Sequence, residues 1–271
     1  MLRVHQIESL DLPELQPYRT MRQQLEHRRQ QFFIAEGEKV VRRLLESRFT
    51  VVSVLLPEKW LTILEPLLKS RSEEIDVYVA EKELLETLTG FSMYQGLLAM
   101  GRIPSLATLN GVLQTSPRPF LFAAVDGLTS AENLGVVVRN CAAFGVQALL
   151  VGETSNSPFL RRAVRSSMGT IFRLPVVELT NLSQALQELR RNDIRCIAAH
   201  PHTDRKLLFQ ANFTGDCCLV FGSEGYGISP DVLAECSDAV AIPMPPTVDS
   251  LNVGSAAAIF LYEARRQRGG F

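Results

Sequence analysis

Residues Cys217–Pro230 read CCLVFGSEGYGISP. An apolar run of strand length enters a loop carrying Gly222, Gly225 and Gly227, and Ser229-Pro230 then opens a helix. Apolar residues without polar alternation describe a strand buried on both faces, and serine followed by proline is a helix-start signal. Strand, loop and helix in that order make half of a βαβ unit. The neighbouring sequence repeats it. The runs FLFAAV, QALLV, IFRLPVV, IRCIAA, CCLVFG and AVAIP alternate with helical patterns at 134–144, 159–167, 182–191, 229–235 and 252–266. Such alternation predicts an α/β fold with a mostly parallel sheet covered by helices on both faces. Ligands of such sheets bind outside the carboxyl ends of the strands, so the strand exits are where chemistry is expected.

Upstream the pattern is less regular. GEKVVRRLLES puts Val40, Val41, Leu44 and Leu45 on one helical face, VVSVLL and IDVYVA read as buried strands, and EKELLETLTG reads as a helix ended by Gly90. A polar, proline-containing stretch at 105–118 reads as a linker, which divides the 271 residues into domains at 1–104 and 119–271. Hydrophobic residues at 46% and charged residues at 21% describe a globular chain rather than a disordered one. No apolar run reaches membrane-span length and the polar start is no signal peptide, so a cytoplasmic protein without membrane contact is expected. The five cysteines lack CxxC spacing and include the adjacent Cys217 and Cys218. They read as core fillers, with neither a disulfide framework nor a zinc site, and no metal is expected.

The net charge of −1 conceals basic clusters. The window 19–48 holds eight basic and four acidic residues, among them Arg28, Arg29, Arg42 and Arg43; a second cluster is Arg161, Arg162 and Arg165. Either could meet phosphates, and either could be a solvated helix face.

Three strand exits carry unusual residues. DGLTSAENLGVVVRNCAAFG places Asn133 at the entry to an apolar helix and Arg139 among valines and alanines. Asn133 reads as a cap, while Arg139 is costly there unless it is paired, used or snorkelling. The glycine exit, with Glu224 among its glycines, allows close approach of backbone to a ligand. Its GxxGxG spacing differs from a dinucleotide fingerprint, and no P-loop lysine follows. The third exit, IPMPPTVDSLNVGSAAAIFLYE at 242–263, enters a helix through three prolines, with Ser250 placed as a cap and Asn252 as a second polar residue. Asn133, Arg139, Glu224, Ser250 and Asn252 with shaped backbone, and no Ser–His–Asp set, suit positioning and group transfer from an activated donor.

NLGVVVR (133–139), LVFGSEGYGIS and the split IPM…SLNV…AAAI resemble, in order and separation, the three signature motifs of the SpoU/TrmH-type RNA ribose methyltransferases of the SPOUT class. LRRAVRSSMG and EGEKVVRRLL also resemble segments of that family. The resemblance implies an α/β domain with a deep trefoil knot, preceded by a small ribosomal-protein-like RNA-binding domain. It implies a homodimer that transfers a methyl group from S-adenosyl-L-methionine to a ribose 2′-hydroxyl, with ribosomal RNA ahead of transfer RNA as substrate. By motif position, Phe221, Gly222, Gly227, Ile242, Met244 and Leu251 would contact the cofactor, with Ala199 and His200 lining its cleft. Arg139 would meet the target ribose or its phosphate, while Asn133, Glu224, Ser250 and Asn252 shape the catalytic pocket. The basic clusters would bind RNA. Ser130-Ala131-Glu132 and Pro246 depart from the family pattern, which bears on the target nucleotide. The rival expectation is a non-catalytic RNA-binding or ribosome assembly protein that retains the fold.

Overall fold

The structure, a computed structural model, describes residues 2–23, 27, 29–89, 96–201 and 206–269; Arg28 and Gly90 lie outside them. In chain order the elements are β1 (Leu2–Gln6), α1 (Gln16–Arg19), β2 (Phe32–Glu36), α2 (Glu38–Leu45), β3 (Val51–Leu56), α3 (Glu58–Lys69), β4 (Ile75–Val79), α4 (Lys82–Thr89) and β5 (Leu98–Arg102). They continue with α5 (Leu109–Thr115), β6 (Leu121–Val125), α6 (Ala131–Ala143), β7 (Ala148–Val151), α7 (Arg161–Ser166), β8 (Val176–Glu178), α8 (Leu182–Arg191), β9 (Arg195–Ala199), β10 (Cys217–Phe221), α9 (Pro230–Ala234), β11 (Asp238–Val240) and α10 (Val253–Gln267). Contacts divide the chain into two compact units, 1–105 with 159–172, and 106–158 with 173–271.

The first unit holds a five-stranded mixed sheet in the order β1-β4-β3-β5-β2, in which β5 runs antiparallel to its neighbours. Leu15, Ile34, Leu55 and Leu98 fill one core, where the buried Tyr18 hydroxyl meets Ser53 Oγ at 2.8 Å. Residues 159–172 complete this unit. Phe159 and Phe172 pack their rings on Phe33 and Phe49 at centroid distances of 5.4–6.0 Å. The helix at 161–166 thus packs on β2 and belongs to the first unit. The run read as one strand, IFRLPVV, divides accordingly: Thr170–Phe172 is a 3-10 turn of the first unit, and the strand begins at Val176. The aromatic cluster, invisible to periodicity, decides this.

The second unit is a six-stranded, wholly parallel sheet in the order β11-β9-β10-β6-β7-β8. Its central strands β10, β6 and β7 are buried along their length. The stretch read as a linker holds α5, whose Leu109 and Val112 join the core under β6, because Thr108 caps a short amphipathic turn by accepting from the Gly111 amide. The register pairs Leu121 with Cys217 and Val125 with Phe221, so the exits of β6 and β10 emerge side by side. Helices α6 and α10 pack together: a Cβ on Gly254 would lie 2.6 Å from Val136, and Asn140 Nδ2 donates to the Gly254 carbonyl at 2.7 Å. At the far end of α10 the Arg268 guanidinium donates to the carbonyls of Pro119, Phe120, Phe213 and Gly215 at 2.6–3.0 Å. One helix is therefore held at both termini.

All five cysteines are free and four are buried. Burial pushes the thiols of Cys141, Cys196 and Cys236 up to about 12. No helix among the described residues is long and apolar enough to cross a membrane.

Candidate active site

The exits of β6 and β10 and the residues preceding α10 converge at one end of the parallel sheet. Ser130, not Asn133, caps α6: its hydroxyl accepts from the Asn133 amide at 3.3 Å, which places Asn133 inside the first turn with its side chain available. Asn252, not Ser250, caps α10: its Oδ1 accepts from the Gly254 amide at 2.9 Å. A cap must stand directly before the first helical residue, and α10 begins only at Val253, after Ser250 and Leu251. The two asparagines meet Glu224. Asn133 Nδ2 and Asn252 Nδ2 each donate to Glu224 Oε1 at 2.6 Å, and Asn252 Nδ2 lies 3.2 Å from Asn133 Oδ1. Hydrogen bonds to a carboxylate are stronger than neutral ones, so this triad ties three separate strand exits into one rigid cluster.

The glycine loop owes its composition to its own closure. A Cβ on Gly222 would lie 2.2 Å from the Gly227 carbonyl carbon, because Ser223 and Gly227 exchange reciprocal backbone hydrogen bonds at 2.9 Å. Gly227 adopts φ +69°, a left-handed conformation that glycine alone enters freely. Close approach of the loop to itself is thus one reason for its glycines, and the same glycines line the cleft beside it. Asp126, buried at the exit of β6, braces it by accepting from the Ser229 amide at 2.7 Å. Sequence reading passed over Asp126, although a carboxylate directly after five apolar strand residues is a signal of a buried polar anchor.

Beside the triad lies a cleft of about 280 Å³. Ala199, His200, Phe221, Gly222, Gly227, Ile242, Met244 and Leu251, the residues expected around a cofactor, all line it, as do Glu224 and Ser250. Asn133 and Asn252 stand outside the lining and reach it through Glu224. Val253, Ala256 and Phe260 of α10 close its apolar side, and Tyr226 stands at its edge; neither contribution was read from sequence. The cleft suits a flat, largely apolar ligand with a polar rim. Among the described residues no group of three or more His, Cys, Asp or Glu could hold a metal.

Arg139 is exposed on the outer side of α6, whose buried side is Leu134, Val137, Val138 and Cys141. Burial therefore imposes no cost on it, which is the surface-arginine alternative left open by the sequence. It makes no hydrogen bond or ion pair with any described residue. The other arginines divide. Arg161 and Arg165 both bind Glu36, whose side chain is 9% exposed; Arg161 is itself 13% exposed, and Arg165 approaches at 2.9 Å. Arg161 thus has a structural partner of its own, since a buried carboxylate without a counter-ion is costly. Arg43 donates to the Met168 carbonyl at 2.6 Å and Arg42 faces Glu38 at 3.7 Å. Arg29 and Arg162 are exposed, and Arg28 lies outside the described residues.

Residues 121–262 match the model of the SpoU rRNA Methylase family. The chain is 30% identical over 243 residues to the 23S rRNA (guanosine-2′-O-)-methyltransferase RlmB of Pectobacterium atrosepticum, covering 88% of this chain and 99% of the relative. It is 33% identical over 237 residues to an uncharacterised tRNA/rRNA methyltransferase of Mycobacterium tuberculosis, covering 86% and 80%. Among solved structures it resembles the SpoU methyltransferase AviRb from Streptomyces viridochromogenes in complex with AdoMet, at a TM-score of 0.80 and 25% identity over 95% of this chain and 98% of that one. With three strand exits bound into one cluster beside an apolar cleft, and with this match across more than its parallel sheet, the chain belongs to the SpoU rRNA methylase family.

Proposed function

We propose that the chain transfers a methyl group from S-adenosyl-L-methionine to a ribose 2′-hydroxyl of ribosomal RNA. The observation that carries the reading is the Asn133–Glu224–Asn252 cluster at the mouth of the cleft. The names of the RlmB relatives support ribosomal RNA, and the AdoMet complex of AviRb supports the donor.

The residues present fit the donor. Phe221, Val240, Val253 and Phe260 supply apolar wall for a purine, the two loops at 222–227 and 242–251 supply main chain, and Glu224 supplies a carboxylate compatible with a sulfonium. When bound, the sulfonium donor supplies an electrophilic methyl. The protein's task is to orient an in-line attack and to ease loss of the hydroxyl proton, and orientation by itself provides several kcal/mol. Glu224 Oε1 is saturated by two amides, which locks the carboxylate plane and leaves Oε2 facing no described donor. Arg139, exposed and unpaired among the described residues, is suited to clamp the phosphate beside the target ribose and to stabilise charge developing there. Acceptance of the proton is its second role, because a guanidinium surrenders its charge only under strong perturbation.

The reading extends to a trefoil knot with its loop at 242–253, supported by the path of the chain from the sheet edge at β11, along the cleft, to α10 packed on α6 and β10. It also includes a homodimer, supported by the exposed Ile259 and Tyr262 of α10, and an RNA-binding role for the first unit, supported by exposed Arg29. Incubation with radiolabelled S-adenosylmethionine and total ribosomal and transfer RNA, followed by mapping of the label, tests the function. A 2′-O-methylated ribosomal nucleotide is expected. RNA binding without label would instead establish the non-catalytic alternative.

A further inference from the structure

Tyr226 is 98% exposed, well beyond Phe209 at 67%, so its ring touches almost nothing. Single exposed aromatics are ordinary on protein surfaces, but few stand on such a mount. The loop below it is closed by the Ser223–Gly227 pair, and the Tyr226 amide donates to Ser223 Oγ at 3.1 Å. Two residues earlier Glu224 is fixed by two asparagines. Glycines stand on either side of Tyr226, so no neighbouring side chain in the loop covers the ring. The backbone is rigid, the ring is bare, and it stands at the edge of the cleft near exposed Leu251.

We propose that Tyr226 is a positioning residue for the RNA: an unpaired base next to the methylated nucleotide stacks on its ring and holds the target ribose over the cleft. This rests on the methyltransferase reading above. An unpaired base presents a flat apolar face that a preorganised aromatic can cover, and sequence-specific RNA recognition works largely through such splayed bases. A paired duplex could not offer that face. The aromatic body is what the proposal requires; the hydroxyl is dispensable.

The test compares full-length wild type with Tyr226→Ala, Tyr226→Phe and Tyr226→Trp, using total ribosomal RNA and radiolabelled S-adenosylmethionine. Tyr226→Ala should raise KM for RNA ~10-fold or more, as expected for one lost stacking contact, with kcat changed far less. Tyr226→Phe and Tyr226→Trp should stay within about twofold of wild type, as only the ring face acts. Donor affinity by calorimetry and oligomeric state by sedimentation should match wild type in all three. Equal RNA KM for Tyr226→Ala and wild type overturns the proposal. So does an equal loss of donor affinity, which would make the ring a wall of the donor site, or a changed oligomer, which would make it a subunit contact. If wild type labels no RNA, the methyltransferase reading itself fails. Filter binding of the same RNA to wild type and Tyr226→Ala then decides the stacking contact separately.

Discussion

Arg139 is a residue whose removal should separate chemistry from stability. Because it is exposed and unpaired among the described residues, Arg139→Ala should change folding stability by no more than about 0.5 kcal/mol. Loss of a positioned charge stabiliser typically lowers kcat about 10²–10³-fold. A melt of the variant alongside a single-turnover methylation assay checks both halves; loss of fold together with activity would mark the arginine as structural. The neighbouring asparagines behave differently. Asn252 both caps α10 through Oδ1 and ties Glu224 through Nδ2, so its functional and structural roles share one side chain.

At the scale of elements, the glycine exit of β10 is the least forgiving segment. Gly222→Ala would drive a methyl into the Gly227–Ile228 backbone, which cannot yield as a flexible side chain could. A cost of about 1–3 kcal/mol is expected from such overpacking, with donor affinity falling as well, since the loop lines the cleft. Chemical denaturation and calorimetry of the purified variant measure the two effects. An unchanged denaturation midpoint would mean that the loop opens more easily than its reciprocal hydrogen bonds indicate.

At the scale of the whole molecule, the first unit is not continuous in sequence. Residues 1–105 expressed alone would lose Phe159 and Phe172 from the cluster around Phe33 and Phe49, and would strip Glu36 of Arg161 and Arg165. Breaking a buried ion pair costs about 3–5 kcal/mol, so this fragment should melt without a cooperative transition by circular dichroism. A sharp, reversible melt would contradict it. Stability should also fall in alkali. The thiols of Cys141, Cys196 and Cys236 ionise near 9 when unfolded, yet burial holds them protonated in the fold up to about 12. The unfolded chain therefore releases protons first as pH rises. Stability is fully present below about pH 9 and declines from there toward pH 12. Melting temperatures at pH 8 and pH 10.5 should show the decline, and alanine at Cys141 should reduce its slope.

Local pattern by itself determined the parallel α/β unit: α8 lies at 182–191, as its apolar spacing indicates, and the runs at β6, β7, β9 and β10 form strands. Those elements were legible because a buried parallel strand and an amphipathic helix write their environment into consecutive residues. The residues around the cleft were legible only through the resemblance of three strand exits to the motifs of the family. Only the tertiary structure decided that Asn252 caps its helix while Asn133 does not, and that both donate to Glu224, since both are the same residue type near a helix start. It also decided that 159–172 completes the first unit and that Arg161 pairs with Glu36. Charge and apolarity name what a side chain requires, but a partner 125 residues away along the chain becomes its neighbour only through the fold.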